Sequence, residues 1–220
     1  MTIALLDYGA GNLTSVRKAL EALGVRVVTP EKPDIQGVDG LIVPGVGHFG
    51  ATAALGPAWR AAMLEFVGAG GALLGICLGM QWLYEGSAEA ADVRGLGLLG
   101  GRCELLGSGD GDTADASGQG QRLKVPHVGW NQLEIPAPSR LLEGIADRSF
   151  VYFTHSFAAP VTPETTAVTV HGRPFAAVVE RRRIAGVQFH PEKSGTVGLR
   201  ILGNFLTLAG ETKNSSLVGC

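Results

Sequence analysis

Leu73-Leu74-Gly75-Ile76-Cys77-Leu78-Gly79-Met80-Gln81 is the stretch around which the chain is organised. An apolar, β-like run ends at Cys77, with Gly75 before it and Gly79 after it at equal spacing, and a helix-like segment from Met80 to Tyr84 follows directly. This Gly-x-Cys-x-Gly frame matches the strand-turn-helix arrangement of a nucleophile elbow, with sulfur in place of a hydroxyl. A sharp turn leaves no room for Cβ atoms beside the nucleophile, which is itself expected in a strained backbone conformation. A thiol there is expected to point into solvent above the sheet, close to the first N–H groups of the helix, which favour a thiolate and can hold an oxyanion. The plainer alternative is a buried apolar filler, the usual fate of a free cysteine. Taken alone, the elbow leaves both readings open.

Upstream of it, strands and helices alternate. Ile3 to Asp7 reads as a buried strand, and Asn12 to Leu23 as a helix with Leu13, Val16, Leu20 and Leu23 at helical spacing and Gly24 as its stop. Val25 to Thr29 and Gly40 to Val43 read as strands, and Phe49 to Gly68 as an alanine-rich helical region interrupted near Gly56-Pro57. That alternation predicts a parallel α/β sheet, whose sites gather at the C-terminal ends of strands. The elbow lies at such an end, as do Asp7-Tyr8-Gly9 and Pro44-Gly45-Val46-Gly47. Past about residue 100 the pattern is mostly β, over Leu123-Val125, Trp130-Ile135, Ser149-Thr154, Thr166-Val170, Ala176-Glu180 and Ile184-Phe189. Gly107 to Gln121 reads as a flexible loop insertion, Thr196 to Leu208 as an amphipathic closing helix, and 211–220 as a frayed polar tail. One domain over 1–210 is the expected organisation.

Composition narrows the function classes. A net charge of -2 and a pI near 6.2 give no electrostatic reason to expect nucleic acid or an anionic membrane. Arg181-Arg182-Arg183, the basic run, sits between two β-like segments and reads as a solvated hairpin turn. No stretch of about twenty apolar residues occurs, and the N-terminus reads as a core strand rather than a signal peptide. Cys77, Cys103 and Cys220 are scattered, which fits free thiols in a reducing cytoplasm.

Val187-Gln188-Phe189-His190-Pro191-Glu192 is the second informative stretch. His190 stands at the end of an apolar strand, and Glu192 is within reach of its imidazole. A histidine base needs an acceptor to fix its tautomer and stabilise the imidazolium, and a carboxylate does this. A strand-end histidine in a plain turn is the alternative. His48, His127, His155 and His171 are dispersed and show no paired Cys/His spacing, so no metal and no cofactor are expected. Pro44-Gly45-Val46-Gly47 offers backbone N–H groups with little side-chain bulk, suited to the second half of an oxyanion hole. Gly9-Ala10-Gly11-Asn12 hints at a dinucleotide fingerprint, but Thr14 holds the place of the third glycine.

Gly75-Ile76-Cys77-Leu78-Gly79-Met80-Gln81 together with Gln188-Phe189-His190-Pro191-Glu192 resembles the class I glutamine amidotransferase family. More narrowly, Asp7-Tyr8-Gly9-Ala10-Gly11-Asn12-Leu13, Pro44-Gly45-Val46-Gly47, Val125-Pro126-His127-Val128-Gly129-Trp130-Asn131 and Tyr152-Phe153-Thr154-His155-Ser156 are similar to the signatures of that family's glutaminase subunits of imidazole glycerol phosphate synthases. The similarity runs from the first strand to about Leu208. Met80 argues against the GMP- and anthranilate-forming relatives and Leu78 against the pyridoxal-phosphate glutaminase.

The resemblance implies an α/β, three-layer, flavodoxin-like fold, with a mostly parallel central sheet, helices on both faces and a β-rich C-terminal half. It implies Cys77 as nucleophile, His190 as general base and acid, and Glu192 as orienting carboxylate. Glutamine is then hydrolysed through a γ-glutamyl thioester. Leu78 N–H, with Val46 or Gly47, is implied as the oxyanion hole, and Gly47, Gln81, His155 and Ser156 as glutamine contacts. The implied partner is a (β/α)8-barrel cyclase in a heterodimer, which receives ammonia through an internal channel and switches the glutaminase on. Asn12, Trp130, Tyr152 and Lys193 match the docking face, against the plainer readings of helix cap, core aromatics and solvated charge. Phe157 in place of a tyrosine and Val128 in place of a methionine are the departures. A cysteine peptidase or glyoxalase-like hydrolase shares the elbow but lacks the Gln188 to Glu192 stretch. A non-catalytic docking module predicts loss of Cys77, His190 or Glu192, all of which are present.

Overall fold

The computed structural model describes residues 1–107 and 124–211. The loop expected from Gly107 to Gln121, beyond its first residue, and the tail from residue 212 lie outside the described residues, as do Leu123 and Cys220. The strands are β1 (Thr2–Leu5), β2 (Arg26–Val28), β3 (Gly40–Val43), β4 (Ala72–Ile76), β5 (Gly86–Ser87), β6 (Ala90–Arg94), β7 (Arg102–Leu105), β8 (His127–Gln132), β9 (Phe150–His155), β10 (Phe157–Ala158), β11 (Thr165–His171), β12 (Arg173–Arg181) and β13 (Ile184–Val187). The helices are α1 (Leu13–Ala22), α2 (Pro57–Gly68), α3 (Leu78–Trp82) and α4 (Gly195–Gly210), with 3-10 turns at Phe49–Ala54 and Pro191–Lys193.

The main sheet has seven strands in the order β11-β12-β13-β4-β3-β1-β2. From β13 to β2 every pairing is parallel, and β12 and β11 extend that edge antiparallel. Central strands β3, β4 and β13 are buried throughout, because helices cover both faces. Side-chain alternation sorts the core into two layers. Ile3, Leu5, Ile42 and Leu74 face α1 and α4 through Val16, Leu20, Ile201 and Phe205. Ala4, Leu41, Val43 and Leu73 face α2 and α3 through Met63, Phe66 and Met80. Helix α1 ends before Gly24, which adopts φ +78 where a side chain would be strained.

Two parts of the fold depart from the sequence expectation. A four-stranded sheet, β10-β7-β5-β6, and a separate β8-β9 ribbon flank the main sheet. The short, half-exposed strands of the former carry no clear alternation. Expected strand Trp130–Ile135 instead occupies His127–Gln132, with an isolated bridge from Glu134 to Val168, and Lys124-Val125 is not a strand. The arginine run does form the β12-β13 turn, with Arg182 at φ +58, but it is not simply solvated. Arg183 Nη2 donates to the carbonyls of Leu208 (2.7 Å) and Ala209 (3.1 Å), capping the C-terminus of α4.

Parallel pairing of β1, β3, β4 and β13 aligns their C-terminal ends on one edge of the sheet. Tyr8, the Pro44–Gly47 turn, Cys77 and His190 all emerge there.

Candidate active site

Cys77 joins β4 to α3 at φ 52, ψ -108, a region L-residues rarely enter. Its N–H donates to Val187 O at 2.8 Å and its carbonyl accepts from Gln81 N–H at 3.0 Å, so sheet and helix both grip the strained residue. A Cβ on Gly75 would lie 2.6 Å from Gly79 O, and one on Gly79 would overlap the Val43 carbonyl oxygen. Both flanking glycines are therefore required by close backbone approach. The thiol, however, does not project into solvent: Cys77 is 4% exposed. The end of β9 covers it, with Sγ 3.9 Å from Thr154 O. It is reached instead from a cavity of about 290 Å3, lined also by Gly47, Leu78, Gln81, Glu89, His155 and Ser156.

His190 follows β13. Its N–H donates to Tyr152 O at 2.9 Å, and Ser194 Oγ donates to its carbonyl at 2.7 Å. Nδ1 meets Glu192 Oε1 at 2.9 Å, with both side chains buried, which assigns the proton to Nδ1. Burial is the largest single influence on this imidazole and lowers its pKa, but Cys77 and Glu192 together outweigh it and raise the value to about 9. Nε2 makes no hydrogen bond to any described residue. A buried thiol, an imidazole of fixed tautomer and a carboxylate in this order can run acyl transfer.

Two of the three candidate oxyanion donors are engaged. Val46 N–H donates to Ala10 O at 2.8 Å, and Leu78 N–H makes a long 3.4 Å contact with Gly45 O. Gly45 C=O and Val46 N–H belong to one peptide unit, so the orientation of that unit determines whether either N–H faces the cavity. Gly47 adopts φ +92 at its end.

Gln81, buried within α3, spends both amide hydrogens: Nε2 reaches Phe157 O at 2.7 Å and Gln188 Oε1 at 3.1 Å. Its Oε1 is what it can offer a ligand. His155 Nδ1 donates to Phe157 O at 2.9 Å, and its Nε2 lies 3.2 Å from His127 Nδ1. Burial lowers the His155 pKa to about 3, so the ring is neutral. With both nitrogens used, His155 serves the cavity as a wall and through its main chain. Ser156 also lines the cavity. Glu89 was not singled out from sequence. It sits just after β5 in the small sheet that the sequence pattern did not reveal, and its Oε2 accepts from Phe49 N–H at 2.7 Å. Its negative charge amid Gly and Ala residues carried no motif.

Three of the four expected docking residues cluster. Trp130 is 57% exposed and meets Tyr152 edge-on at 6.0 Å, while Lys193 Nζ stands 5.8 Å from the Tyr152 ring. Trp130 is thus not a core aromatic. Asn12 precedes α1 and makes no side-chain cap, and α1 packs against the Pro191–Lys193 turn. Among the described residues no group of three or more His, Cys, Asp or Glu is arranged to hold a metal, and no helix is long and apolar enough to cross a membrane.

The glutamine amidotransferase class-I family profile matches residues 4–209. The imidazole glycerol phosphate synthase subunit HisH of Bacillus velezensis is 43% identical over 216 residues, covering 95% of this chain and 97% of its own length. The HisH subunit of Deinococcus radiodurans is 42% identical, covering 92% of each chain. Among solved structures, a glutamine amidotransferase superposes with TM-score 0.69 at 21% identity, over 94% of this chain and 98% of its own. The PurLQS structure from Thermotoga maritima superposes at 0.68 with 17% identity, over 94% and 97%. These distant structures share the fold.

Proposed function

This chain belongs to the class I glutamine amidotransferase family, and from that premise we propose that it is the glutaminase subunit of an imidazole glycerol phosphate synthase, acting in histidine biosynthesis. Near-full-length identity of 43% to a HisH subunit supports the assignment of pathway. The observation that carries the chemistry is the buried His190–Glu192 pair at 2.9 Å beside the elbow thiol.

Glutamine enters the cavity, whose volume of about 290 Å3 lies at the small-ligand end of binding sites. Glu89 is the carboxylate lining it and suits the α-ammonium group; Gln81 Oε1 accepts from the ligand, and Gly47 and Ser156 line the same cavity. With its proton already on His190 Nε2, Cys77 adds as a thiolate to the side-chain carbonyl carbon, with the oxyanion held by N–H groups of Leu78 and of Val46 or Gly47. Collapse of the adduct expels the amide nitrogen, which takes the proton from His190 and leaves as ammonia. Water, deprotonated by His190, then attacks the γ-glutamyl thioester and releases glutamate, restoring the thiol.

Ammonia passes to a (β/α)8-barrel cyclase docked over Asn12, Trp130, Tyr152 and Lys193 in a heterodimer, where it is used to form imidazole glycerol phosphate and aminoimidazole carboxamide ribotide. A cytoplasmic setting suits the unpaired Cys77 and Cys103. Commitment of Val46 N–H to Ala10 O supports a glutaminase that is slow until the partner is bound. The test is glutamate release with and without the cyclase and its ligand. Strong activity of the isolated subunit would refute partner dependence, and wild-type activity in Cys77→Ala would refute the mechanism.

A further inference from the structure

Gln188 has no assigned role, yet it is fully buried between β13 and His190, and its Nε2 stands 3.6 Å from Cys77 Sγ. Which atom of a side-chain amide faces a neighbour has to be argued from its surroundings. Here a single carbonyl decides it. Phe157 O can only accept, so the Gln81 atom 2.7 Å from it is the nitrogen. That same nitrogen faces the Gln188 side chain at 3.1 Å, so the Gln188 atom there is the oxygen. Gln188 must therefore turn its NH2 group toward the sulfur. His155 Nδ1, donating to the same carbonyl at 2.9 Å, closes the logic from the other side.

We propose that Gln188 is a further catalytic residue: its amide, locked by Gln81 and the Phe157 carbonyl, donates a hydrogen bond to Cys77 Sγ and stabilises the thiolate. The bond is worth more to the anion than to the thiol, because a charged acceptor strengthens it. The neutral thiol has a long contact to Thr154 O as its alternative, at 3.9 Å, and that carbonyl offers nothing to a thiolate. Proton transfer to His190 thus shifts the sulfur from a weak acceptor toward a buried, preoriented donor, a gain realised as the nucleophile is generated. A buried glutamine kept only for packing would need no orientation toward sulfur.

The inference rests on Cys77 being the nucleophile, and the experiment separates the two. Alkylation of the full chain by iodoacetamide is followed against pH on the Cys77 peptide by mass spectrometry, for wild type, Gln188→Met and Gln81→Met. Glutamine hydrolysis is measured in parallel with the cyclase present. Gln188→Met is expected to raise the alkylation midpoint by about 1 to 2 pH units and to lower kcat about 10- to 100-fold with little change in KM. Gln81→Met, which leaves Gln188 in place but frees its orientation, is expected to move the midpoint the same way by less; it carries the test if Gln188→Met fails to fold. Midpoints unmoved in both variants, with wild-type Cys77 reactive, would overturn the role of Gln188 alone. Glutaminase activity surviving Cys77→Ala would instead remove the reading it rests on.

Discussion

Replacing Glu192 by glutamine tests how this site keeps its histidine charged. The imidazole of His190 is raised from an ordinary 6.5 to about 9 against the opposing effect of burial, and the Cys77 thiol and the Glu192 carboxylate are what raise it. That step corresponds to roughly 3 kcal/mol in favour of imidazolium. Glutamine at 192 can still accept from Nδ1 but brings no charge, so part of what offsets burial is lost while the contribution of Cys77 remains. The His190 titration is expected to drop by about 1 pH unit. On the proposed mechanism His190 must be protonated to release ammonia, so the basic limb of kcat is expected to move down with it in the variant. Stability follows the same sign. A raised folded-state pKa contributes fully below 6.5 and is lost as pH rises through about 9. The wild-type advantage in urea unfolding should therefore shrink by about 1 kcal/mol across that window. The assays are pH–rate profiles with the cyclase present, urea titrations at a series of pH values, and NMR titration of labelled histidine. A variant whose His190 still titrates near 9 would refute the assignment of Glu192 as the charge partner.

Gly79→Ala places a methyl group against the Val43 carbonyl oxygen, so α3 must move away from β3. A loss of about 3 kcal/mol or more in urea unfolding is expected, with glutaminase activity falling alongside, and wild-type stability would contradict the close-approach argument. At Cys77, held at φ 52, glycine relieves strain that alanine retains. Cys77→Gly should therefore exceed Cys77→Ala in stability by about 1 kcal/mol, with both inactive. Trp130→Ala should weaken cyclase binding by about 2 kcal/mol in calorimetry while leaving the melting temperature nearly unchanged, since the ring is 57% exposed. An unchanged affinity would remove Trp130 from the docking face.

The core of the first half was legible because β3 and β4 are short, wholly buried runs and α1 carries its apolar residues on one face. The elbow was legible because its two glycines are demanded by backbone contacts that no side chain could satisfy. Burial of the thiol was not, since the cover comes from Thr154 on a ribbon some eighty residues away and β8-β9 pairing leaves no trace in local periodicity. The small sheet escaped for a related reason. Ala90–Arg94 is mostly exposed or half-buried, so it shows no period-2 signal, and Glu89 beside it was hidden with it. Nor can a sequence reveal that the Val46 N–H is already given to Ala10 O, because this depends on the orientation of a single peptide.

The β8-β9 ribbon links the proposed docking face to the chemistry by simple alternation. Val128, Trp130 and Phe150 lie on its open face, whereas His127, Val151, Phe153 and His155 lie on its buried face. His127 and His155 pair directly across the strands, as do Trp130 and Tyr152. The same main chain contacts both proposed catalytic residues: Tyr152 O accepts from His190 N–H, and Thr154 O lies against Cys77 Sγ. Ser194 Oγ ties the connection further, accepting from Tyr152 N–H at 3.0 Å and donating to His190 O at 2.7 Å. From the buried face a directed chain runs inward, Asn131 to His127 to His155 to Phe157 O, meeting the same carbonyl that orients Gln81 and Gln188. Burial lowers the His127 pKa to about 4, so both histidines stay neutral and the chain carries no charge that water would need to solvate. On the proposed docking face, a partner that shifts Trp130 or Tyr152 by a fraction of an ångström is expected to act on the backbone that accepts from His190 N–H and lies against Cys77 Sγ. A packed ribbon of two strands has little slack to absorb such a shift.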